Sequence, residues 1–217
     1  MNGDHHRPLS ADLSHILKEG MAETPLTLNN LMERTEGRGV YLVMILLCLP
    51  FVQPIPLPGI STVLGLVIAL MAVARARDQS PRLPKFIGDR AFPVDFGTKV
   101  LGGGIRFLQF LERWVKPRGD RWISWGGVRV FNCVLIILMS GLLALPIPLP
   151  GTNQLPAFSI ILIALSMMEE DGVLVFYAYG LGVLTTIAFA VLLTLIALLG
   201  VGGVKTLVQK FFSGGAE

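Results

Sequence analysis

Three long stretches without a charged residue dominate the pattern of hydrophobic and polar positions along the chain. They run from Val40 to Ala74, from Val130 to Met168 and from Gly172 to Val204. Each exceeds the roughly 20 residues that a helix needs to cross a bilayer. Since helices on the surface of soluble proteins carry polar residues on one face, this pattern predicts an all-α integral membrane protein.

The first two stretches are interrupted by the same six residues. The sequence Pro-Ile-Pro-Leu-Pro-Gly occupies 54–59 and again 146–151, and apolar residues around it match at the same spacing. An identity of this length indicates an internal repeat. We therefore expect two repeats followed by one additional membrane segment at the carboxy-terminal end.

The prolines in these motifs are incompatible with helix. They remove backbone donors and push the preceding residues into extended conformations. The flanks leave room for helices of about 14 and about 15 residues over 40–53 and 60–74 in the first repeat, only about 21–23 Å long. The hydrocarbon core is about 30 Å thick, which favours re-entrant hairpins with turns inside the membrane. The alternative is a plain loop joining two spans at the far surface. The predicted structural turn residues are Pro54, Pro56, Pro58 and Gly59, with Pro146, Pro148, Pro150 and Gly151.

Hydroxyl and amide side chains lie directly beside both turns. The start of a helix exposes backbone amides that attract anions, and transporters use broken helices in this way at the membrane midplane. The sequence therefore predicts a site for an anionic substrate, while ordinary helix capping by the same residues is the alternative. The candidate substrate-binding residues are Gln53, Ser61, Thr62, Thr152, Asn153 and Gln154.

Charge is concentrated between the two repeats. The linker 75–129 holds 12 of the 18 lysines and arginines against five acidic residues, so the positive-inside rule predicts that it is cytoplasmic. Its residues 92–111 are expected to form a surface-lying helix, with the repeats parallel. If they crossed the membrane, the repeats would be inverted. Arg75 and Arg77 end the first hairpin where Glu169 and Glu170 end the second; these edge charges can pair across the repeat interface or stay solvated.

The segments expected from this pattern divide the whole chain. They are an amphipathic cytoplasmic segment 1–39, a broken hairpin 40–74, the basic linker 75–129, a second broken hairpin 130–168, a membrane segment 172–204 and a tail 205–217. In the last membrane segment, Gly180 and Gly182 are the expected flexible points. Tyr177 and Tyr179 fit an interfacial aromatic belt.

Composition changes this picture little, but it excludes several functions. Hydrophobic residues make up 53% of the chain and charged ones 15%, and the mean hydropathy is +0.65. We interpret the basic residues behind the net charge of +3 as those that set the orientation of the protein in the membrane, and we expect no nucleic-acid partner. All three histidines precede residue 16, and the charge-free stretches contain no carboxylate or lysine, so we expect no catalytic residues, metal site or cofactor, and no enzyme. Cys48 and Cys133 are interpreted as small apolar residues.

The doubled proline motif resembles that of a known family. PFVQPIPLPGISTVLG at 50–65, LPIPLPGTNQLPA at 145–157 and the acidic residues 169–171 are similar to the exopolysaccharide-synthesis ExoD family of bacterial inner-membrane proteins. The resemblance spans roughly residues 13–204. It implies a multi-pass protein of the bacterial plasma membrane that is associated with exopolysaccharide production, and it supplies no catalytic residues to carry over.

Two functional hypotheses follow. The first is a small transporter or translocase with a midplane polar site for an anionic small molecule or a lipid-linked phosphate. The alternative is a noncatalytic accessory subunit that scaffolds a polysaccharide synthase through the basic linker and Trp114, Trp122 and Trp125. A membrane enzyme is the weakest of the options. The expected partners are membrane lipid and a second copy of the chain, as a homodimer.

Overall fold

The computed structural model describes residues 39–52, 59–79, 121–145, 147 and 151–213. Several expectations concern residues outside these ranges: the amino-terminal segment up to residue 38, the surface helix 92–111, Gln53, Trp114 and the six motif prolines. Within the described residues, five α-helices account for the regular structure together with a short 3-10 turn, Arg121–Ser124. The helices are α1 (Gly39–Val52), α2 (Ile60–Ala76), α3 (Gly126–Ala144), α4 (Gln154–Glu169) and α5 (Gly172–Ser213).

The first four helices form a ring in which neighbours run in opposite directions. Helix α1 packs against α2 and α4, and α3 packs against the same two helices from the opposite corner, while α5 lies outside against α4. At one end, Thr62 donates a hydrogen bond to the carbonyl of Ala144; at the other, Arg129 contacts Asp78. We call these the turn end and the base end. The helix ends that flank the two proline motifs therefore lie at the same end.

Helix lengths differ between the two hairpins. Helices α1 and α2 contain 14 and 17 residues, close to the expected 40–53 and 60–74, because the proline motif ends one and Gly59 precedes the other. Helix α3 is longer, at 19 residues, since it begins at Gly126, ahead of the charge-free stretch, and includes Arg129. Helix α4 contains 16 residues.

The distribution of buried and exposed apolar side chains fits a membrane environment. From Gly39 to Phe51 every residue of α1 is buried, as expected for a helix that is apolar all round. Two helical segments, Gly126–Ala144 and Gly172–Gly200, are long and apolar enough to span a membrane. In the most apolar 18 residues of each segment, only 33% and 17% are buried. A core helix of a soluble protein would be mostly covered. The large apolar side chains that point outward include Val63, Leu66, Leu70, Val134, Leu138, Val183, Leu184, Ile187 and Val191.

Helices α2 and α3 are in close contact at a glycine. A Cβ atom at Gly65 would lie 2.8 Å from the carbonyl oxygen of Ser140 and 3.2 Å from the Cβ of Ala144. Small residues permit this kind of contact between membrane helices, where packing rather than hydrophobic burial drives association. Gly65 therefore fixes the spacing between the two hairpins.

Helix α5 is continuous where the sequence suggested flexible points. The residue with non-helical φ and ψ within it is Gly200, with φ 70° and ψ 168°. Gly180 and Gly182 lie within regular helix, and flexibility at these two glycines stays a prediction. No neighbouring atom lies within 4 Å of a Cβ built at either of those glycines, and the uninterrupted hydrogen bonds of the helix carry the chain past them. Helix continues beyond residue 204 to Ser213, across the expected boundary with the tail.

A buried carboxylate opens α5. Asp171 is 1% exposed, and its Oδ1 accepts hydrogen bonds from the backbone amides of Val173 and Leu174 at 3.0 and 3.2 Å. The side chain thus caps the second and third residues of the helix.

Replacing this cap should weaken the α4–α5 junction. We expect Asp171→Ala to lower the free energy of unfolding by about 1 kcal/mol, because the buried amide of Leu174 and the part-buried amide of Val173 lose their acceptor. Asp171→Asn, which retains an acceptor oxygen, should lose less. Unfolding in mixed detergent micelles measures both variants, and equal losses would show that the capping bonds are not the cause.

Candidate functional site

The two returning helices begin in similar ways at the turn end. Gly59 precedes α2 with φ 85°, and Gly151 precedes α4 by three residues with φ 86°. This left-handed conformation is open to glycine and unfavourable for most other residues. The final glycine of each motif is therefore required by the backbone, and it directs the chain into the following helix.

The described candidate residues all lie near these helix starts, in different environments. Ser61 is buried, whereas Thr62 is exposed and its hydroxyl donates to the carbonyl of Ala144 at 2.9 Å. Thr152, Asn153 and Gln154 are half-buried. Since α2 and α4 occupy diagonal corners of the ring, the two sets share one end of the molecule without lying on adjacent helices.

Side-chain capping, the alternative role for these residues, is not made at the two N-cap positions. Gly59 is the N-cap of α2, so Ser61 and Thr62 fall inside its first turn. Asn153 is the N-cap of α4, but its φ and ψ are helical and its side chain makes no capping bond. Neither N-cap residue therefore caps its helix through a side chain, because a glycine takes the N-cap position in α2 and Asn153 of α4 already has helical φ and ψ. Capping by the other candidate residues stays a prediction. Thr62 instead satisfies a carbonyl at the end of α3.

A second polar group lies at the base end, around two arginines. Arg75 donates from Nε to the hydroxyl of Tyr41 at 3.1 Å, and its guanidinium lies 5.6 Å from the centre of that ring. Asp78 Oδ1 accepts from Arg75 Nη1 at 3.0 Å and from Arg129 Nη1 at 2.8 Å. One carboxylate thus joins the end of α2 to the start of α3.

Helix α3 contributes an amide to the same end. Asn132 is fully buried, and its Oδ1 accepts a hydrogen bond from Tyr179 of α5 at 2.6 Å. The Tyr179 ring meets Phe131 edge-on at 5.3 Å and Phe176 at 6.2 Å, and Phe176 contacts Trp122. Aromatic rings therefore cover one side of this polar group. We define the base cluster as Tyr41, Arg75, Asp78, Arg129, Asn132 and Tyr179.

Two donors of the base cluster have no hydrogen-bond partner among the residues that the structure describes. They are Nε of Arg129 and Nδ2 of Asn132, and both atoms are buried. Neither residue was a candidate from the sequence, because Arg129 belongs to the linker and Asn132 sits in an otherwise apolar run. An amide in the first turns of a spanning helix was the available signal, since polar side chains inside membranes are usually functional.

The predicted edge charges have separate environments. Arg75 belongs to the base cluster, whereas Arg77 is exposed. Glu169 ends α4, and Glu170 follows it in a left-handed conformation with φ 49°. Arg75 donates hydrogen bonds to Tyr41 and Asp78, which lie at the start of α1 and just after α2. Pairing of these arginines with the two glutamates stays a prediction.

Hydroxyl groups within the helices form hydrogen bonds to nearby groups of the protein. Ser140 and Ser166 donate to backbone carbonyls of their own helices. Ser159 bonds to the carbonyl of Leu155 and meets the Thr185 hydroxyl at 3.2 Å, which ties α4 to α5.

Cys48 and Cys133 are buried free thiols, and no group of three potential metal ligands occurs within the described parts of the chain.

Comparison of the sequence with known proteins identifies its family. The sequence model described as "Exopolysaccharide synthesis, ExoD" matches residues 9–191, which is most of the chain. The chain belongs to the ExoD family. The match includes both proline motifs, all of α1 to α4 and the first part of α5, so the turn end and the base cluster both lie within the ExoD region.

Two relatives of this ExoD-family chain are informative. Protein ExoD of Rhizobium meliloti (strain 1021) is 35% identical over 191 residues, covering 88% of this chain and 79% of the relative. An uncharacterized protein of Synechocystis sp. is 27% identical over 175 residues, covering 80% and 74%. No solved structure matches the chain. The family links the protein to exopolysaccharide synthesis.

Proposed function

We propose that this protein is a non-enzymatic translocase of the bacterial inner membrane that handles an anionic intermediate of exopolysaccharide synthesis. Its two broken hairpins would bind the anionic group, such as a lipid-linked phosphate, at the turn end. The family assignment supports the link to exopolysaccharide, and the geometry of the helices supports the binding site.

One observation carries the proposal. Helices α2 and α4 start at the same end of the ring, each behind a glycine in a left-handed conformation, with Thr62 beside one start and Asn153 and Gln154 at the other. Helix starts carry partial positive charge and free amides. Two of them directed to one end favour a negatively charged ligand there.

Helix length supports a turn end inside the membrane. Charged residues of the base cluster mark a membrane surface at the base end, and α1, α2 and α4 extend about 21–26 Å from it. A hydrocarbon core of about 30 Å would leave their turns below the opposite surface. We therefore propose a re-entrant arrangement, in which the turn end is covered by protein or reached by water.

The polar side chains at the start of α4 provide the test. In the double variant Asn153→Ala, Gln154→Ala, we expect exopolysaccharide export to be lost while the protein remains folded and abundant. Thr194→Ala is the matched control, because Thr194 is an α5 hydroxyl bonded to its own helix and should be neutral. Export by the double variant at the wild-type level would refute the site.

A second candidate, an accessory subunit that scaffolds a polysaccharide synthase, is favoured by a different observation. The described interior of the ring is filled by apolar side chains such as Met44, Ile68, Met139 and Ile160, and its hydroxyls bond locally. Trp125, 70% exposed at the start of α3, offers a partner surface together with the linker. Copurification of a synthase subunit that is lost in Trp125→Ala, with export unaffected by the α4 variant, would favour this function. A homodimer is proposed in either case.

A further inference from the structure

The base cluster contains two buried hydrogen-bond donors that no residue in the described parts of the chain satisfies. They are Nε of Arg129 and Nδ2 of Asn132, and Asn132 is fully buried. The two residues are three positions apart on α3, so they lie on the same face of that helix, one turn from each other. Buried donors are nearly always paired, and an unpaired one in a native structure calls for an explanation such as an unseen ligand.

The charges around these donors favour an anion. Arg75 and Arg129 both direct Nη1 to the same oxygen of Asp78, so two guanidinium groups share one carboxylate. The remaining members, Tyr41, Asn132 and Tyr179, are neutral hydrogen-bonding groups. The base cluster therefore has an excess of one positive charge, and both of its free positions require an acceptor.

The position of the cluster narrows the kind of anion. It lies where α2 ends and α3 begins, next to the basic linker, and its apolar neighbours on the outer surface include Phe131 and Phe176. Exposed Trp125 and Tyr177, close in sequence to Arg129 and Tyr179, are of the residue types that form the aromatic belt at the level of lipid headgroups. Basic pockets between membrane helices at this depth bind lipid phosphates.

The geometry points to a phosphate-oxyanion site at the base end, held by Arg129 Nε and Asn132 Nδ2 and neutralised by the shared positive charge of Arg75 and Arg129. A singly charged phosphodiester matches both the charge excess and the number of free donors. Arginine is well suited to this, because its planar group presents several donors to one phosphate. This site is separate from the turn end and does not depend on the proposed function.

The test measures thermal unfolding of the full chain in a neutral detergent with three additions. These are phosphatidylglycerol, phosphatidylcholine as the zwitterionic lipid control, and inorganic phosphate. Phosphatidylglycerol should raise the unfolding temperature of the wild type in a saturable manner, because a ligand that binds the folded state stabilises it. Phosphatidylcholine should have a smaller effect. If inorganic phosphate gives the same saturable rise and competes with the lipid, the site takes a soluble phosphate; if it does not, the site takes a lipid headgroup.

Variants distinguish this site from general attraction to a basic protein. Arg129→Met and Asn132→Leu should weaken apparent binding by about tenfold or more, since each removes a hydrogen bond to a charged group. Arg77→Met removes an equal charge from an exposed position and should bind as the wild type does.

The outcomes are decisive in both directions. If Arg129→Met does not fold, Arg129→Lys keeps the charge near Asp78 without the Nε donor, and weaker binding is again expected. No saturable rise with either phosphate source, or an equal loss in Arg77→Met and Arg129→Met, would overturn the proposal.

Discussion

Gly65→Ala is expected to separate the two hairpins and to lower the free energy of unfolding by about 1–3 kcal/mol. The new methyl group would stand 2.8 Å from the backbone oxygen of Ser140, closer than such atoms can approach, and 3.2 Å from the Ala144 side chain. The obstructing atom is backbone, so a side-chain rotation cannot relieve the contact. The hydrogen bond from Thr62 to Ala144, one turn away, should weaken as well.

The control for this prediction lies next to the contact. A Cβ atom at Gly141 meets nothing within 4 Å, so Gly141→Ala adds the same methyl group to α3 without a clash. It should leave stability unchanged or raise it by up to about 1 kcal/mol through helix propensity. Unfolding of both variants with increasing SDS in mixed micelles measures the difference. Equal behaviour would show that α2 and α3 are not in close contact in the membrane.

The carboxy terminus is expected on the opposite side of the membrane from the linker. Helix α5 starts at the base end and extends 29 residues to Gly200, about 43 Å, which exceeds the thickness of the hydrocarbon core. Both hairpins return to the base end. The chain is therefore on the same side of the membrane as the linker when α5 begins. A cytoplasmic linker therefore predicts a periplasmic terminus.

Single cysteines labelled with a membrane-impermeant maleimide check this arrangement. A cysteine at Gln79, an exposed residue of the linker, should react only after spheroplasts are permeabilised, whereas one added after Glu217 should react in intact spheroplasts. Cys48→Ala and Cys133→Ala provide the background; both native thiols are buried. Labelling of the two positions from the same side would contradict a spanning α5.

The sequence predicted those parts of the fold that depend on local chemistry. The bounds of α1 and α2 came within two residues of the expectation, because proline and glycine end helices without help from distant residues. The start of α3 was missed because Arg129 interrupts the apolar run; its charge is tolerated through Asp78, 51 positions earlier in the chain. Gly200 rather than Gly180 breaks α5, and the residue types alone do not distinguish these glycines.

The candidate site was predictable to a similar degree. The motif repeat identified Gly59 and Gly151 and located the polar residues near helix starts, since these follow directly from the order of residues. The base cluster could not be recognised in this way. Tyr41, Arg75, Arg129 and Tyr179 come from four helices. They meet only because the antiparallel ring brings the ends of α1, α2 and α3 together and α5 packs beside the ring.

The complete burial of α1 has a consequence for biosynthesis. Its neighbour α4 begins about 100 residues after α1 ends, which corresponds to about 5–20 s of translation. During that interval α1 has left the ribosome and its eventual neighbour has not been made. The newly made helix must therefore be sheltered by lipid or by the insertion machinery until the second hairpin arrives, so closure of the ring is a late step in assembly.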